Sequence, residues 1–404
     1  MREFAVDNRR RLLLALGGLG ALALAAVLLA LPSSQLTQAL AQDSDVPEFE
    51  VDPFWPNDLP EDWRIGQVAG IDHGPDGNIW IVQRPGSMTS ADLVGTSPAP
   101  PVMAFTPDGE LVHAWGPEAA EEPEEPEPLP GRRVGPPDGP GERQGPPTAE
   151  AEPTQPRDWH GCDWPVNEHG LWVDHENNIW IGGNGSNDHV VLKMPADGSD
   201  CLLQIGEWGN PGDNFSEDLL NNPADGDTRE ESNEVFIADG YGSERIAVFD
   251  MDTGEYQRQF MNPDYPDDNW ANPVHCGVLS DDDKLYVCDR PNSRVDVFDA
   301  ETEEHLERAI VAEDLPIGSL SLMDVDFSAD QMQAWLHTAD GENQHVHTLD
   351  RFDLDADRQD TFGRGGRYAG QFQWIHNLAT DDEGNIYTAE VSEGKRVQKF
   401  DLVE

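Results

Sequence analysis

Residues 234–260 read EVFIADGYGSERIAVFDMDTGEYQRQF and show the unit from which the chain is built. Three runs of alternating apolar and polar residues are separated by short segments rich in Gly and Asp. Period-two alternation with Asp-Gly punctuation is typical of antiparallel strands joined by tight turns. Helical periodicity is nearly absent after the N-terminal segment. The stretch therefore predicts a meander of short strands.

The same unit recurs along the chain. Each copy has an aromatic residue in its second strand, and the last four steps between these aromatics are 56, 50, 49 and 52 residues. Repeats of about 50 residues with four strands each are typical of a β-propeller. We therefore predict an all-β, six-bladed propeller of four-stranded antiparallel blades over residues 46–404. The six aromatics are Trp80, Trp180, Phe236, Tyr286, Trp335 and Tyr387.

The ends of the repeat array predict how the ring closes. The last copy stops after its third strand, RVQKFDL at 396–402, so its blade lacks an outer strand. The segment VPEFEVDP at 46–53 has the alternation of a strand and can supply it. Joining the first and last strands in one blade closes the ring and removes an exposed edge.

Two segments are predicted to lie outside the propeller. Residues 117–158 are rich in Pro, Glu and Gly and read as a disordered insertion, which accounts for a first aromatic step of 100 residues. Residues 1–41 combine a basic start, a charge-free apolar run at 12–31 and the small-residue site Ala-Leu-Ala. They predict an export signal, weakly of the twin-arginine type, or an N-terminal anchor. Either alternative places the rest in the periplasm or outside the cell.

The charge balance excludes some partners. The formal net charge is -54, and the basic residues are 4 Lys and 21 Arg. Such a surface disfavours nucleic acid and anionic lipid, so we expect neither nucleic-acid binding nor membrane contact beyond a possible N-terminal anchor. Most of this charge is expected to be solvated surface that keeps the protein soluble.

Four cysteines in an exported chain permit disulfides, and three pairings are possible. Cys276 and Cys288 flank one predicted hairpin, whereas Cys162 and Cys201 bracket another repeat. We favour the pairs Cys276–Cys288 and Cys162–Cys201. A Cys-ligated metal is disfavoured because the sequence has no CxxC spacing.

Three histidines share one register in the repeat. His169, His275 and His376 each lie 11 residues before the aromatic of their unit, at the start of the strand that lines the channel of a propeller. They belong to units two, four and six, which a pseudo-three-fold axis relates. Three converging imidazoles with an open fourth position form the ligand set of a catalytic zinc site. Units three and five carry Asp225 and Asp324 in this register, as orienting or solvated residues.

The chain resembles the peptidyl-α-hydroxyglycine α-amidating lyases, which are six-bladed NHL-type propellers. The similarity runs from about residue 55 to 400, apart from the insertion. Its motifs are GQVAGIDHGPDGNIWIVQR at 66–84, HGL at 169–171, ADGYGSERI at 238–246, PVHCGV at 273–278 and WIHNLA at 374–379. The resemblance implies zinc on His169, His275 and His376, and calcium bound in part by the backbone carbonyls of Ile71 and Leu171. It implies cleavage of a peptide's C-terminal α-hydroxyglycine to an amide and glyoxylate.

The resemblance also implies roles for further residues, and the repeat register adds Arg290. Tyr241 is the base, and Arg84 clamps the substrate carboxylate with its guanidinium fork. Arg290 has the loop position of Arg84 in unit four and is either a second anion contact or structural. Trp374 stands where the family has a methionine near the substrate, so we expect a pocket of different shape.

The chain departs from the family pattern at other points. Asn377 replaces an aspartate that binds calcium, and an amide oxygen can still ligate calcium with reduced affinity. Gly242 follows Tyr241 where the family has a cysteine, so the family's disulfide pattern is not retained. The chain leaves no room for the monooxygenase that makes the substrate in bifunctional relatives, so we expect a separate monooxygenase.

Two alternatives to the lyase remain open. The first is a metal-dependent hydrolase of lactonase or esterase type, although six-bladed hydrolases usually bind calcium through acidic and asparagine ligands. The second is a non-catalytic propeller that serves as a binding platform, since a fold alone does not decide function. Bound metal would separate the platform from the enzymes, and glyoxylate release would separate the two enzymes.

Overall fold

The computed structural model describes residues 46–117, 155–310, 322–340, 343–354 and 359–403. The predicted signal or anchor at 1–41 and residues 118–154 of the predicted insertion lie outside the described residues. No helix of the described residues is long and apolar enough to cross a membrane. At the end of the predicted insertion, Arg157–Trp159 pairs with Cys162–Trp164 in a two-stranded antiparallel sheet.

Six four-stranded antiparallel sheets form the blades of a propeller, as the repeat predicted. Blades 1 to 3 consist of Gln67–His73, Ile79–Arg84, Val102–Phe105 and Leu111–Trp115; Glu168–Val173, Asn178–Gly183, Val190–Pro195 and Leu203–Gly206; and Asp225–Arg229, Glu234–Asp239, Arg245–Asp250 and Tyr256–Phe260. Blades 4 and 5 consist of Val274–Leu279, Lys284–Asp289, Arg294–Asp299 and His305–Ile310; and Leu322–Phe327, Gln333–Asp340, Asn343–Asp350 and Asp360–Phe362.

Blade 6 confirms the predicted closure of the ring. Its inner strands are Ile375–Thr380, Ile386–Glu390 and Arg396–Leu402, and the N-terminal strand Phe49–Asp52 pairs antiparallel with the last of these. The innermost strand of each blade packs against that of the next blade, and blade 6 packs against blade 1.

The remaining elements are short segments in the connections between strands. The described residues contain no α-helix, but they include four 3-10 helices and one parallel pair of two-residue strands. The pair consists of Trp63–Arg64 and Ser97–Pro98. The 3-10 helices are Pro60–Asp62, Pro85–Ser87, Glu230–Ser232 and Arg290–Asn292.

Apolar side chains between neighbouring blades form the core. Six clusters of buried residues each combine side chains from two adjacent blades. The repeated aromatics lie in these clusters; Trp80, Trp180 and Phe236, for example, are completely buried. Because each blade buries its faces only against its neighbours, the apolar alternation in the sequence stabilises the ring as a whole.

An aspartate ties the first turn of a blade to its buried aromatic. In blade 2, Asp174 accepts hydrogen bonds from the backbone N–H of Asn178 at 2.8 Å and from Trp180 Nε1 at 3.1 Å. In blade 6, the hydroxyl of Tyr387 donates to Asp381 at 2.8 Å. These bonds satisfy polar groups that the core would otherwise leave unpaired. Units two and six thus share an aspartate six residues before the aromatic.

Candidate metal centre

Each of the three histidines lies in a β-bulge of an innermost strand. The pairing register with the second strand shifts between Glu168 and Leu171, and equivalent shifts surround His275 and His376. A bulge re-aims a side chain, and bulges are frequent beside functional sites. The bulges therefore aim the imidazoles into the channel. The alternation of apolar and polar residues in the sequence does not reveal them.

Close contact between blades accompanies these bulges. At Gly170, directly after His169, a Cβ atom would lie 2.5 Å from the carbonyl oxygen of Ala224 in the connection to blade 3. Glycine is therefore required where blade 2 approaches blade 3. This approach brings the Ala224 carbonyl within hydrogen-bonding distance of His169.

The three imidazoles converge at one end of the channel. Their ring centroids are 4.5 Å apart for His169 and His376, 4.9 Å for His275 and His376, and 5.1 Å for His169 and His275. One nitrogen from each ring lies within 4.8 Å of the other two. All three side chains are buried. The shared register in the sequence thus corresponds to a shared point in space.

Hydrogen bonds at Nδ1 determine the tautomer of each imidazole. The Nδ1 atoms of His169 and His275 lie 2.6 Å from the backbone carbonyl oxygens of Ala224 and Met323. The Nδ1 atom of His376 lies 2.5 Å from an amide oxygen, Oδ1 of Asn377. Because these oxygens only accept, each Nδ1 carries the proton and each Nε2 presents a lone pair.

The donor set fits a zinc ion. The Nε2 atoms of His169 and His376 are 3.2 Å apart, and two lone pairs at this distance repel unless a cation or proton lies between them. Two ligand nitrogens on a tetrahedral zinc are about 3.3 Å apart, given Zn–N distances of about 2.0–2.1 Å. Burial lowers the pKa of His169 well below its ordinary value, and the other two histidines and Arg84 lower it further. The neutral ring that a metal requires is thus favoured.

Tyr241 contacts both the histidine cluster and an arginine. Its hydroxyl lies 2.9 Å from Nε2 of His169, and Nη1 of Arg290 donates to it at 3.0 Å. Burial raises the pKa of Tyr241 above its ordinary value, and the charges of Arg290 and Arg84 offset only part of this rise. The two arginines therefore favour the phenolate, which burial alone disfavours.

Gly240 permits the loop that carries Tyr241 to reach blade 4. A Cβ atom at Gly240 would clash with the backbone of Val274, the residue before His275. The side chain of Asn272, in the connection to blade 4, donates to the carbonyl oxygen of Tyr241 at 2.5 Å. The tyrosine is therefore positioned by contacts between two blades.

Arg84 is a partly buried cation at the same end of the channel. Its Nε donates to the carbonyl oxygen of Glu168 at 2.6 Å, and its Nη1 donates to Gln67 at 3.2 Å. Burial lowers its pKa, and none of its hydrogen bonds within the described residues goes to a carboxylate. An anion bound at Arg84 would offset part of the desolvation cost of this charge.

Asn377 links His376 to two buried carboxylates. Its Oδ1 faces His376, and its Nδ2 donates to Asp225 at 2.8 Å and to Asp324 at 3.2 Å. An aspartate here would set a third carboxylate beside two others, so the amide suits these surroundings. Burial raises the pKa values of Asp225 and Asp324 well above their ordinary range. We find Asn377 in contact with a histidine, a role that the family comparison did not suggest.

A cavity of about 140 Å³ continues the channel beyond the histidines. Ile71 and Leu171, which the resemblance implies as calcium ligands, line it together with Asp225, Asp324 and Asn377. Carboxylate, amide and carbonyl oxygens are the ligands that calcium prefers. The chemistry of this lining therefore fits a hard cation.

Trp374 lies two residues before His376 and lines a second cavity, of about 690 Å³. This cavity lies between blades 5 and 6, beside the start of the innermost strand of blade 6. Tyr241, Arg290 and Arg84 thus lie around the end of the channel that holds the histidines, whereas Trp374 lines the second cavity. Tyr241 and Arg290 are in direct contact with one another.

Both predicted disulfides are present. Cys276–Cys288 joins the first two strands of blade 4, with Cα atoms 4.9 Å apart, and Cys162–Cys201 has a Cα separation of 6.0 Å. Disulfides persist in oxidising compartments. They favour an exported environment for this chain.

Sequence reasoning missed the polar network around the histidines. It considered Asp225 and Asp324 as orienting residues but not the bridge that Asn377 makes between them. It also missed Gln344 and Arg364, which line the larger cavity. The repeat register identifies channel residues, whereas no sequence signal showed which side chains from blades 5 and 6 lie together.

Comparisons with known proteins agree with the geometry. The chain is 25% identical over 238 residues to a probable peptidyl-alpha-hydroxyglycine alpha-amidating lyase of Caenorhabditis elegans. The aligned region covers 58% of this chain and 64% of that protein. It is 30% identical over 146 residues to peptidyl-glycine alpha-amidating monooxygenase B of Xenopus laevis, which covers 35% of this chain and 16% of the relative. The matches thus span less than two thirds of the length of these relatives.

Two solved structures match the chain at low similarity. A streptogramin B lyase structure matches with a TM-score of 0.46 and 14% identity, over 88% of this chain and 98% of that chain. A WD40 beta propeller domain matches with a TM-score of 0.45 and 10% identity, over 88% and 97%. These two likenesses are too distant to support any statement about function, and no family model matches the chain. By sequence, the chain is similar to these amidating enzymes, and its described residues form a six-bladed propeller.

Proposed function

We propose that this chain is an exported, zinc-dependent lyase that cleaves the carbon–nitrogen bond of a peptide's C-terminal α-hydroxyglycine. The products are a peptide amide and glyoxylate. One observation carries the proposal: three Nε2 lone pairs converge beside a tyrosine hydroxyl that also contacts an arginine. A histidine cluster with a purely structural role would not require the tyrosine and arginine beside it.

Zinc held by His169, His275 and His376 would supply Lewis acidity that lowers the pKa of the substrate hydroxyl. Tyr241, as phenolate, takes the hydroxyl proton at Oη. The electron pair of the O–H bond becomes the second C–O bond of glyoxylate, and the pair of the breaking C–N bond passes to the amide nitrogen. The proton on Tyr241 then passes to that nitrogen, which restores the phenolate and balances the reaction.

Two arginines prepare the site for this chemistry. Arg290 donates to Tyr241 and stabilises its phenolate, since a cation near a phenol lowers its pKa. Arg84 would hold the substrate carboxylate through donors that Glu168 and Gln67 leave free. Holding that carboxylate would fix the α-carbon between the tyrosine and the metal.

Calcium and a partner enzyme complete the proposal. Calcium would occupy the cavity lined by Ile71, Leu171, Asp225 and Asp324, where it would offset the two buried carboxylates. A separate monooxygenase would supply the α-hydroxyglycine, because that group is formed by oxidation of a C-terminal glycine. The disulfides support action in the periplasm or outside the cell.

The test combines elemental analysis with an assay of glyoxylate release from an N-acylated α-hydroxyglycine. About one zinc per chain, lost in His169→Ala, together with glyoxylate release that needs zinc, is the expected result. Zinc with no glyoxylate, but with turnover of esters or lactones, would favour the hydrolase alternative. No zinc from zinc-supplemented protein would leave a binding platform as the better account.

A further inference from the structure

The cavity of about 690 Å³ between blades 5 and 6 has a lining unlike that of the channel. We call it the rim pocket. Its volume lies within the range of sites that bind small ligands, about 300–1,000 Å³. Its lining combines aromatic, amide and charged side chains, among them Gln344, Arg364, Phe372, Gln373, Trp374 and Glu393.

The backbone of Trp374 is held in an unusual conformation. Its φ is 126°, in a region that residues other than glycine rarely adopt. Its carbonyl oxygen accepts a hydrogen bond from the backbone N–H of Val391 at 3.0 Å, which holds the conformation. Strained backbone of this kind occurs at ligand-binding sites. Here it lies two residues before His376, in the lining of the rim pocket.

Gln344 offers an amide donor in the lining of the rim pocket. Its side chain is 2% exposed, and its Oε1 accepts a bond from the backbone N–H of Ile375 at 3.4 Å. None of the described residues accepts a hydrogen bond from its Nε2, which is not among the fully buried unpaired atoms. This donor lines the rim pocket and is open to it, so it suits a carbonyl oxygen from a ligand.

Arg364 offers a positive charge at the opening of the rim pocket. The chain has a net charge of -54, yet Arg364 forms no ion pair with any described residue. Arg367, three residues away on the same loop, instead pairs with Glu393 at 3.9 Å. An arginine without a carboxylate partner on so acidic a chain suits an anion brought by a ligand.

We propose, on the basis of the lyase function above, that the rim pocket binds the residue preceding the α-hydroxyglycine and favours an acidic side chain there. Gln344 Nε2 donates to a backbone carbonyl of the peptide, Trp374 packs against the residue, and Arg364 attracts its carboxylate. The preferred substrates are therefore peptides ending in Glu-α-hydroxyglycine or Asp-α-hydroxyglycine.

The experiment compares acetyl-Glu-α-hydroxyglycine with acetyl-Gln-α-hydroxyglycine, which differ in charge and little in size. We expect the zinc-loaded wild type to show a kcat/KM about three- to fivefold higher for the glutamyl peptide at low salt, as for a partly exposed ion pair. The ratio falls to about one in Arg364→Gln. It is retained in Arg367→Gln, the matched control on the same loop.

Two results would overturn the proposal. A wild-type ratio near one, or a ratio unchanged in Arg364→Gln, rejects the acidic preference while leaving the lyase intact. If neither peptide releases glyoxylate, the proposed lyase function is rejected. The binding of acetyl-Glu-Gly and acetyl-Gln-Gly, measured by calorimetry, then tests the rim-pocket proposal. Tighter binding of the glutamyl peptide that is lost in Arg364→Gln supports the pocket, and equal or absent binding rejects it.

Discussion

Two sets of three side chains on alternating blades line the channel at different depths. The histidine ring is His169, His275 and His376 on blades 2, 4 and 6. The carboxylate ring is Asp72, Asp227 and Asp326 on blades 1, 3 and 5, each paired in register with the repeated aromatic of its blade. Both sets have the same pseudo-three-fold arrangement, but only the histidine ring brings its ligand atoms together.

The carboxylate ring joins neighbouring blades. Asp72 accepts from the backbone N–H of Val173 on blade 2 at 2.7 Å, and Asp227 accepts from that of Leu279 on blade 4 at 2.8 Å. Asp326 similarly accepts from the Thr380 hydroxyl on blade 6 at 2.8 Å. These oxygens are turned toward the next blade.

The histidine ring differs in where its hydrogen bonds are made. Its Nδ1 atoms bind oxygens of the protein, which leaves every Nε2 to face the other two rings. Symmetry alone therefore does not make a metal site. A second atom on each side chain must be held by the protein so that the first is aimed at a common centre.

The largest expected effect is a difference in zinc binding between variants of the histidine ring and of the carboxylate ring. His275→Ala removes a proposed ligand and should lower zinc affinity by more than the 10- to 100-fold typical of an outer-sphere change. Asp227→Asn should keep about one zinc per chain. Elemental analysis after dialysis measures both. Equal zinc loss in the two variants would contradict the distinction between the rings.

Tyr241→Phe should separate zinc binding from chemistry. The variant removes the proposed base but no proposed ligand, so zinc content is expected to stay near the wild-type value. The kcat for glyoxylate release should fall about 10²- to 10⁴-fold, the usual contribution of a positioned acid or base. Steady-state kinetics at saturating substrate measures this. Unchanged kcat would remove the tyrosine from the mechanism.

Asn377→Leu should show how far orientation of a ligand matters. The substitution keeps the approximate size but removes the oxygen that accepts from His376 and the donor to Asp225 and Asp324. Zinc affinity should fall about 10- to 100-fold. Competition with a zinc chelator measures the change. Wild-type affinity in this variant would show that burial alone orients His376.

The smallest effect on zinc is expected from Asp326→Asn, which instead changes the pH dependence of stability. Burial raises the pKa of Asp326 to about 7, from an ordinary value near 3.8. Its contribution to stability is therefore fully present below about pH 4 and is lost as the pH rises through about 7. In calcium-free buffer, Asp326→Asn should be more stable than the wild type at pH 8 and less dependent on pH between 4 and 7.

Denaturant unfolding at several pH values measures this change. Burial likewise raises the pKa of Asp227 to about 6. In the wild type, the contribution of Asp227 to stability is therefore lost at a lower pH than that of Asp326, and Asp227→Asn tests this difference. A loss of stability at pH 8 in Asp326→Asn would show instead that the ionised carboxylate stabilises the contact with Thr380.

Much of the fold could be predicted because its determinants are local and repeated. Alternation and Asp-Gly turns predict strands, and an aromatic every 50 or so residues predicts blades. The predicted closure by residues 46–53 follows from one missing strand. The histidine register predicts convergence because the ring relates its blades by symmetry.

The details of the site could not be predicted in this way. The bulges at the histidines shift the pairing by a residue, and no composition or alternation marks them. The bridge from Asn377 to Asp225 and Asp324 joins three blades. The rim pocket depends on a backbone angle at Trp374.

The sequence by itself determined the strands, the six repeats and the shared register of the three histidines, because each depends on spacing along the chain. Only the tertiary structure decided which nitrogen of each imidazole faces the centre and which carboxylates join blades. Those choices depend on hydrogen bonds between residues distant in sequence. Such bonds form only when the closed ring brings their blades together.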